Sequence, residues 1–349
     1  MRNTRLSLAL ETGALILPEG AIAVLGPLVE DDLSALPKAQ LQVIQKNWPD
    51  HEAFRRAGYT TLVEPEGQFS AALVCLPRAK AEARARIAAA IALVGPGGLV
   101  LVDGQKDEGV DSLLRDCRER VDVSDPVIKA HGKLFWFRAG APWTDWADLS
   151  TPAVIAGGYH TAAGVFSADG IDPGSALLAS TLPAKLGGKV ADLGAGWGYL
   201  SQAILARDGV KALHLVEADH DALALARRNV ADPRAQFHWA DARIWKPAQK
   251  LETVVMNPPF HSGRTADPAL GAAFIKAAGA MLVPSGVLWM VANRHLPYER
   301  VLAEAFREVE QVVSTGSFKV YRAGRPVQPD RPIYDSGPKA KPLVVRTRR

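Results

Sequence analysis

From Lys189 onward, short apolar runs alternate with longer stretches in which apolar residues recur at helical spacing. A strand covered on both faces reads as an unbroken apolar run and the helix that follows it as a 3.6-residue period, so the alternation predicts βαβ units and a mostly parallel sheet. The expected strands are Val190–Leu193, Ala212–Val216, Gln236–Trp239, Thr253–Met256 and Val287–Val291. The expected helices between them are Tyr199–Arg207, His220–Val230 and Pro268–Met281, with Leu223, Ala226 and Val230 sharing one face of the second. After Pro297 a helix to about Arg307 precedes Val309–Ser314 and Phe318–Arg322, which flank Thr315-Gly316-Ser317. That spacing suits a hairpin, because a parallel return needs a dozen or more residues. The expected fold class is therefore α/β, a doubly wound seven-stranded sheet, mostly parallel, with an antiparallel terminal hairpin. Beyond Ala323 the chain is basic and Pro-rich without an apolar period, and residues 323–349 read as a disordered or loosely docked tail.

The first half echoes the second. Phe69–Arg78, a helix with Ile87, Ala90 and Leu93, and Pro96–Val102 repeat the order of Thr253–Phe260, a helix, and Pro284–Met290, with unequal spacing. No glycine-rich turn precedes the echo, and Cys75, Leu76 and Arg78 stand where Asn257, Pro258 and Phe260 stand later. The division this implies is a degenerate copy over 1–138, a linker over 139–150 containing Pro142, Trp143 and Trp146, a chemistry-bearing domain over 151–322, and the tail.

A chain of 349 residues suits two domains, each large enough to bury a core. With 48% hydrophobic and 22% charged residues it is neither disordered nor fibrous. The apolar stretch Leu8–Val29 is broken by Glu11, Pro18, Glu19 and Pro27, which excludes a bilayer span; Arg2, Arg5 and Ala21-Ile-Ala23 imitate the ends of a signal peptide without the apolar run between them. Cys75 and Cys117 supply neither a disulfide framework nor a metal-ligand spacing, so a cytoplasmic location is expected. The formal charge of +4 resides in the tail, where Arg325, Arg331, Lys339, Lys341, Arg346, Arg348 and Arg349 face only Asp330 and Asp335. The folded part is nearly neutral, which makes bulk charge weak evidence for a nucleic-acid partner.

The candidate chemistry lies at strand ends. Ala191-Asp192-Leu193-Gly194-Ala195-Gly196-Trp197-Gly198 joins a strand to a helix, and glycines there let the backbone turn and a ligand approach without a Cβ in the way. A dinucleotide fingerprint needs a third glycine at position 199, which is Tyr199, so the G-x-G-x-G form fits a ligand without phosphate. Glu217 ends the next strand, where a carboxylate can accept from both ribose hydroxyls. Asp241, followed by Ala242, ends the third and can accept from an adenine amino group. Strand ends on the carboxyl side of an open α/β sheet line one crevice, so these features are expected to meet.

Asn257-Pro258-Pro259-Phe260 closes the fourth strand. An amino nitrogen conjugated to a ring is a poor nucleophile. Two acceptors on its two hydrogens, the Asn257 side-chain carbonyl and the Pro258 backbone carbonyl, favour the tetrahedral form with the lone pair aimed at an incoming methyl group. Consecutive prolines fix φ and hold that carbonyl, and Phe260 offers a stacking face for an extruded base. Positioning and electrostatics then suffice, and no metal is expected. Phe166 and His160 are candidates to close over the ligand. His261 reads as a surface loop residue, Trp197, Trp239 and Trp245 as packing, and Arg264, Arg294 and Lys319 as solvated charge.

Residues from about Val165 to Arg322 resemble the 16S ribosomal RNA guanine-N2-methyltransferase family, through Asn257–Phe260, Gly164-Val-Phe-Ser167, Gly170-Ile-Asp172, Gly174-Ser175 and the hairpin Gly316–Arg322. The two-domain layout extends the resemblance over nearly the whole chain. It implies two Rossmann-like methyltransferase domains in tandem, the second catalytic, S-adenosylmethionine as cofactor, and methyl transfer to a guanine N2. The partner implied is ribosomal RNA or the small ribosomal subunit, met by a monomer with no membrane attachment. Ala195 and Trp197 fill variable loop positions, and the tail matches no family element. An adenine N6 or a protein glutamine amide also presents a planar NH2 to such a motif, and an RNA-binding assembly protein with lapsed catalysis keeps the same fold. A nicotinamide oxidoreductase is disfavoured by Tyr199 and gives Asn-Pro-Pro-Phe no role.

Overall fold

The computed structural model describes residues 2–259 and 268–327, and the backbone alone at 261–262 and 265–266. Phe260, Arg264, the His261 side chain and residues 328–349 lie outside the described residues. The amino-terminal half runs α1 (Arg2–Glu11), β1 (Ile22–Leu25), β2 (Leu41–Ile44), α2 (Trp48–Arg56), β3 (Thr60–Leu62), β4 (Ala71–Cys75), α3 (Lys80–Val94), β5 (Leu99–Gln105), α4 (Val110–Arg118), β6 (Val127–Lys129) and β7 (Gly132–Arg138). A connecting region follows, with α5 (Thr144–Ala147), the short ladder β8 (Ala153–Val154) and β9 (His160–Thr161), and α6 (Pro173–Thr181). The second half contains β10 (Lys189–Leu193), α7 (Tyr199–Leu205), β11 (Ala212–Glu217), α8 (His220–Asn229), β12 (Ala235–Trp239) and β13 (Leu251–Met256). The short ladder β14 (His261–Ser262) and β15 (Thr265–Ala266) comes next, then α9 (Pro268–Met281), β16 (Leu282–Asn293), α10 (Glu299–Ala305), β17 (Phe306–Ser314) and β18 (Phe318–Pro326).

Each half forms one seven-stranded sheet, ordered β3-β2-β1-β4-β5-β7-β6 and β12-β11-β10-β13-β16-β18-β17. The topology is the same in both: four parallel pairings, then two antiparallel ones. Strand order reverses between β10 and β13, and between β1 and β4, so each sheet has a crevice at the carboxyl ends of that pair. Sheet residues such as Val190, Leu213, Val254 and Met290 are fully buried under helices on both faces. Among the described residues no helix is long and apolar enough to cross a membrane.

The strand boundaries near the end of the sheet need correcting. The terminal strands are longer than predicted: β16 spans 12 residues, β17 starts at Phe306 where a helix was expected, and β18 continues through Ala323 to Pro326. Ala323 pairs with Leu288 and Val309, and Gly324 with Val287 and Glu308, so the ladder satisfies the backbone there regardless of apolar pattern. The segment read as a linker packs against the first half, with Trp146 only 3% exposed, Trp143 stacked 5.5 Å from Phe137, and the Arg120 guanidinium over both tryptophan rings. A tryptophan face takes both an aromatic ring and a guanidinium cation, which explains why a Pro-containing segment docks.

The halves meet through the turns that follow β2 and β11. Trp48 N–H donates to Ala218 O (2.8 Å), His220 N–H donates to Lys46 O (2.9 Å), and Asn47 bridges Asp219 in antiparallel fashion. Trp239 Nε1 donates to Ala218 O and Lys46 O at 2.8 and 3.2 Å, with His51 and His220 edge-on to its ring.

Candidate active site

The glycine loop leaves β10 and turns over the end of β11. Gly194 and Ala195 N–H groups donate to Val216 O, which leaves Gly194, Gly196 and Gly198 at φ values of +76°, +55° and +95°. The last two have different reasons to be glycine. A Cβ at Gly198 would lie 2.7 Å from Val230 Cγ2, a packing constraint on the start of α7, whereas a Cβ at Gly196 would meet no protein atom within 4 Å. Gly196 faces the open pocket, and its positive φ rather than packing is what requires glycine there.

Glu217 ties the loop to β11. Its Oε2 accepts from Gly196 N–H (2.7 Å) and its Oε1 from Asp219 N–H (2.8 Å), leaving further lone pairs on both oxygens. Burial raises its pKa against the opposing effect of those backbone bonds. Asp192, in β10, is fully buried; Oδ2 accepts from Ser201 Oγ (2.7 Å), and Oδ1 is buried with no hydrogen-bond partner among the described residues. Burial pushes its carboxyl up to about 7, opposed by the Ser201 bond and helped by the neighbouring Glu217 charge. A buried, half-satisfied carboxylate is costly unless a donor or cation completes it.

Across the crevice stands Asn257, half-buried at the end of β13; a Cβ on Gly194 would lie 4.0 Å from its backbone carbonyl. Its Nδ2 donates to Asp172 Oδ2 and Ser175 Oγ, both at 2.9 Å. A carboxylate can only accept, so these bonds fix which way the amide points, and Oδ1 accepts from no described residue. Asp172 is itself placed by the start of α6, where it caps the helix by accepting from Ser175 N–H at 2.7 Å, with Pro173 in the first turn. Pro258 is buried and Pro259 exposed.

An open pocket lies between these parts, lined by Phe166, Ser167, Asp172, Ser175, Gly194–Trp197, Tyr199, Leu200 and Asn257. Phe166 stands at its mouth, 58% exposed, and its carbonyl accepts from Trp197 Nε1 at 3.0 Å. The pocket thus brings together the glycine loop, Phe166 and Asn257, with Glu217 one hydrogen bond behind Gly196. His160 does not line it; its backbone instead pairs with the Asn229 side chain. Asp241 is also outside the lining, and its carboxylate is engaged by Arg243 through Nε and Nη2 at 2.7–3.0 Å, next to buried Ala242. Trp197 is buried against Val165, Ala222 and Leu225. Lys319 is paired with Glu299 at 2.5 Å, while Arg294 is exposed. Among the described residues no group of three or more His, Cys, Asp or Glu is placed to hold a metal.

With this geometry in view, relatives become informative. The family model described as Methyltransferase small domain matches residues 157–322. The ribosomal RNA small subunit methyltransferase C of Alteromonas mediterranea is 30% identical over 277 residues, 76% of each chain. The chain belongs to the ribosomal RNA small subunit methyltransferase C family. The protein of that name from Salmonella newport is 32% identical over 252 residues, 70% of this chain and 73% of its own. In fold, the chain is similar to the T. thermophilus 16S rRNA N2 G1207 methyltransferase, solved with AdoMet and guanosine, at TM-score 0.76 and 23% identity over 93% of this chain and 91% of that one.

Within this family member, the sequence reading missed Asp172 and Ser175 as site residues. Asp-Pro-Gly-Ser is a helix-start signature, and that role explains the aspartate without pointing to Asn257, which lies 85 positions away along the chain.

Proposed function

We propose that this chain transfers methyl from S-adenosylmethionine to the exocyclic N2 of a guanine in small-subunit ribosomal RNA. The observation that carries the reading is Asn257, held across the crevice from the glycine loop with its amide nitrogen pinned and its oxygen bonded by no described residue. Family membership supports both the reaction class and the RNA.

Bound S-adenosylmethionine supplies an electrophilic methyl carbon on sulfur. The residues fit such a ligand: Gly196 leaves room, Glu217 retains lone pairs for ribose hydroxyls, and the unpartnered Asp192 Oδ1 suits a cationic group. An adenine amino group at Asp241 has to share an oxygen with Arg243. Asn257 Oδ1 takes one hydrogen of the acceptor nitrogen and the Pro258 carbonyl the other, turning the lone pair out of the ring plane. Pro258 and Pro259 limit backbone rearrangement, so these acceptors are in place before reaction. The surplus proton becomes acidic only as the N–C bond forms, and it leaves to water. Phe166 stands at the mouth, and Phe260 is assigned the stacking face from the sequence motif alone.

Labelled methyl donor given to small ribosomal subunits, naked ribosomal RNA, tRNA and release factor, followed by mass spectrometry, tests this reading. N2-methylguanosine in small-subunit RNA is expected. Label on adenine N6, on glutamine, or on none of them rejects it.

A further inference from the structure

We propose that Asp172 reads the N1–H of the target guanine, so that the pocket selects guanine by presenting two adjacent acceptors, Asn257 Oδ1 and Asp172 Oδ1. This rests on the guanine-N2 reading and supplies what that reading lacks, a reason to prefer guanine over other planar amines.

Asp172 lines the pocket beside Asn257 and is half-buried. Its two oxygens have unlike surroundings. Oδ2 carries the whole structural load, accepting from Ser175 N–H (2.7 Å) and Asn257 Nδ2 (2.9 Å). Oδ1 is given no hydrogen bond by any described residue. Capping α6 and holding Asn257 need one oxygen, and a serine or asparagine suffices for a cap. A carboxylate adds a second acceptor at the pocket wall.

That second acceptor matches one nucleobase edge. Guanine carries N1–H next to its N2 amino group, two donors in a row. Adenine has the N1 lone pair next to its N6 amino group, cytosine has N3, and a glutamine amide has its carbonyl oxygen, so each of these sets an acceptor against Asp172. A mismatched polar group in a desolvated site is rejected strongly, because both partners lose water without gaining a bond. Asp172 therefore acts as a specificity residue in contact with substrate, alongside its positioning of Asn257.

The substitution Asp172→Asn separates the two roles. Ser175 N–H and Asn257 Nδ2 both require an acceptor at the Oδ2 position, so the new amide turns its oxygen there. Its NH2 then occupies the Oδ1 position, facing N1 with a donor. The acceptors to compare are ligated small-subunit RNAs with guanine or 2-aminopurine at the modified nucleotide; 2-aminopurine keeps the N2 amino group but has a lone pair at N1. The parent protein should favour guanine in kcat/KM by on the order of 100-fold or more. In Asp172→Asn that ratio should fall by roughly 100-fold, toward parity or inversion, with S-adenosylmethionine affinity by calorimetry unchanged as the check on folding. Equal losses on both RNAs, leaving the ratio intact, would overturn the proposal and confine Asp172 to positioning. If Asp172→Asn loses cofactor affinity, the parent's own guanine to 2-aminopurine ratio decides, and a value near one also overturns it. Failure of the guanine-N2 reading would be seen separately, as absence of N2-methylguanosine from the parent reaction.

Discussion

The two halves share a strand order yet differ in what stands at the carboxyl ends of their strands. Matching the sheets by register, in which Leu25 pairs with Ile44 and Val74 as Leu193 pairs with Val216 and Met256, sets Val24 against Asp192, Gly26 against Gly194, Gln45 against Glu217 and Cys75 against Asn257. The first crevice is filled from within: Arg86 Nη1 donates to Cys75 O (2.7 Å) and Gly26 O (3.4 Å), crowding the space a Cβ on Gly26 would need. Topology thus supplies a crevice twice, and a handful of side chains decide whether it holds a ligand or an arginine. The same matching pairs Lys46 with Ala218, Asn47 with Asp219 and Trp48 with His220, which are the residues that join the halves. Their contact is therefore an isologous one about a local two-fold axis, as between subunits of a dimer.

The sharpest way to break the comparison is to truncate matched positions. Asn257→Ala should lower kcat by roughly 100- to 1,000-fold with cofactor affinity nearly unchanged, because the amide's bonds strengthen only around the reacting nitrogen. Cys75→Ala should leave kcat alone and cost about 1 kcal/mol of stability as a small buried truncation. Single-turnover kinetics and thermal melts read both. Parent-like turnover in Asn257→Ala would remove the catalytic assignment.

Exchanging the second matched pair should have a smaller effect. Gln45 Oε1 accepts from Asn47 N–H (2.7 Å), as Glu217 Oε1 does from Asp219, but Gln45 Nε2 donates to the Pro27 carbonyl where Glu217 Oε2 accepts from Gly196 N–H. In Glu217→Gln the new NH2 would face that N–H, donor to donor. S-adenosylmethionine should bind about 10- to 100-fold more weakly, while Gln45→Glu should not alter affinity. Equal affinity in parent and Glu217→Gln by calorimetry would detach Glu217 from cofactor binding.

Asp192 against Val24 gives a pH signature. An acid whose folded pKa lies near 7, above its unfolded value, binds more protons in the folded state. Its contribution to stability is therefore full below about pH 4 and lost as pH rises through about 7. A cation docking on Asp192 favours the ionised form, so binding below that pKa expels a proton. Cofactor affinity should then rise with pH by up to about tenfold per unit between about pH 5.5 and 7 and level off above. Glu217 and Asp219 are raised by burial as well, so Asp192→Asn is the control. Its affinity should lose most of the slope, and a slope as steep as the parent's would assign the titration elsewhere.

Much of this was legible in the sequence because it is periodic or local. The parallel core strands announce themselves as apolar runs, and glycine spacing marks the loop. The β16–β18 extension was hidden because backbone pairing there tolerates Glu308 and Gly324, which carry no apolar signal. The docked segment with Trp143 and Trp146 was hidden because its partner, Arg120, is distant in sequence. Asp172 shows the same limit at the site: its local role as a cap is readable, and its bond to Asn257 depends on the tertiary arrangement.

The least effect is expected at the surface pair that spans the halves. Lys46 Nζ lies 3.1 Å from Asp221 and 3.0 Å from Glu64, with side-chain exposures of 36%, 49% and 66%. Water screens such a pair and ordering a lysine opposes it, so Lys46→Ala should cost less than about 1 kcal/mol. The backbone bonds at Trp48, Ala218, His220 and Lys46 do not depend on that side chain. Melting temperature and cofactor affinity in Lys46→Ala should stay close to the parent's. A larger drop, above all one that high salt reproduces in the parent, would mean that charge rather than the two-fold ladder holds the amino-terminal half against the end of β11.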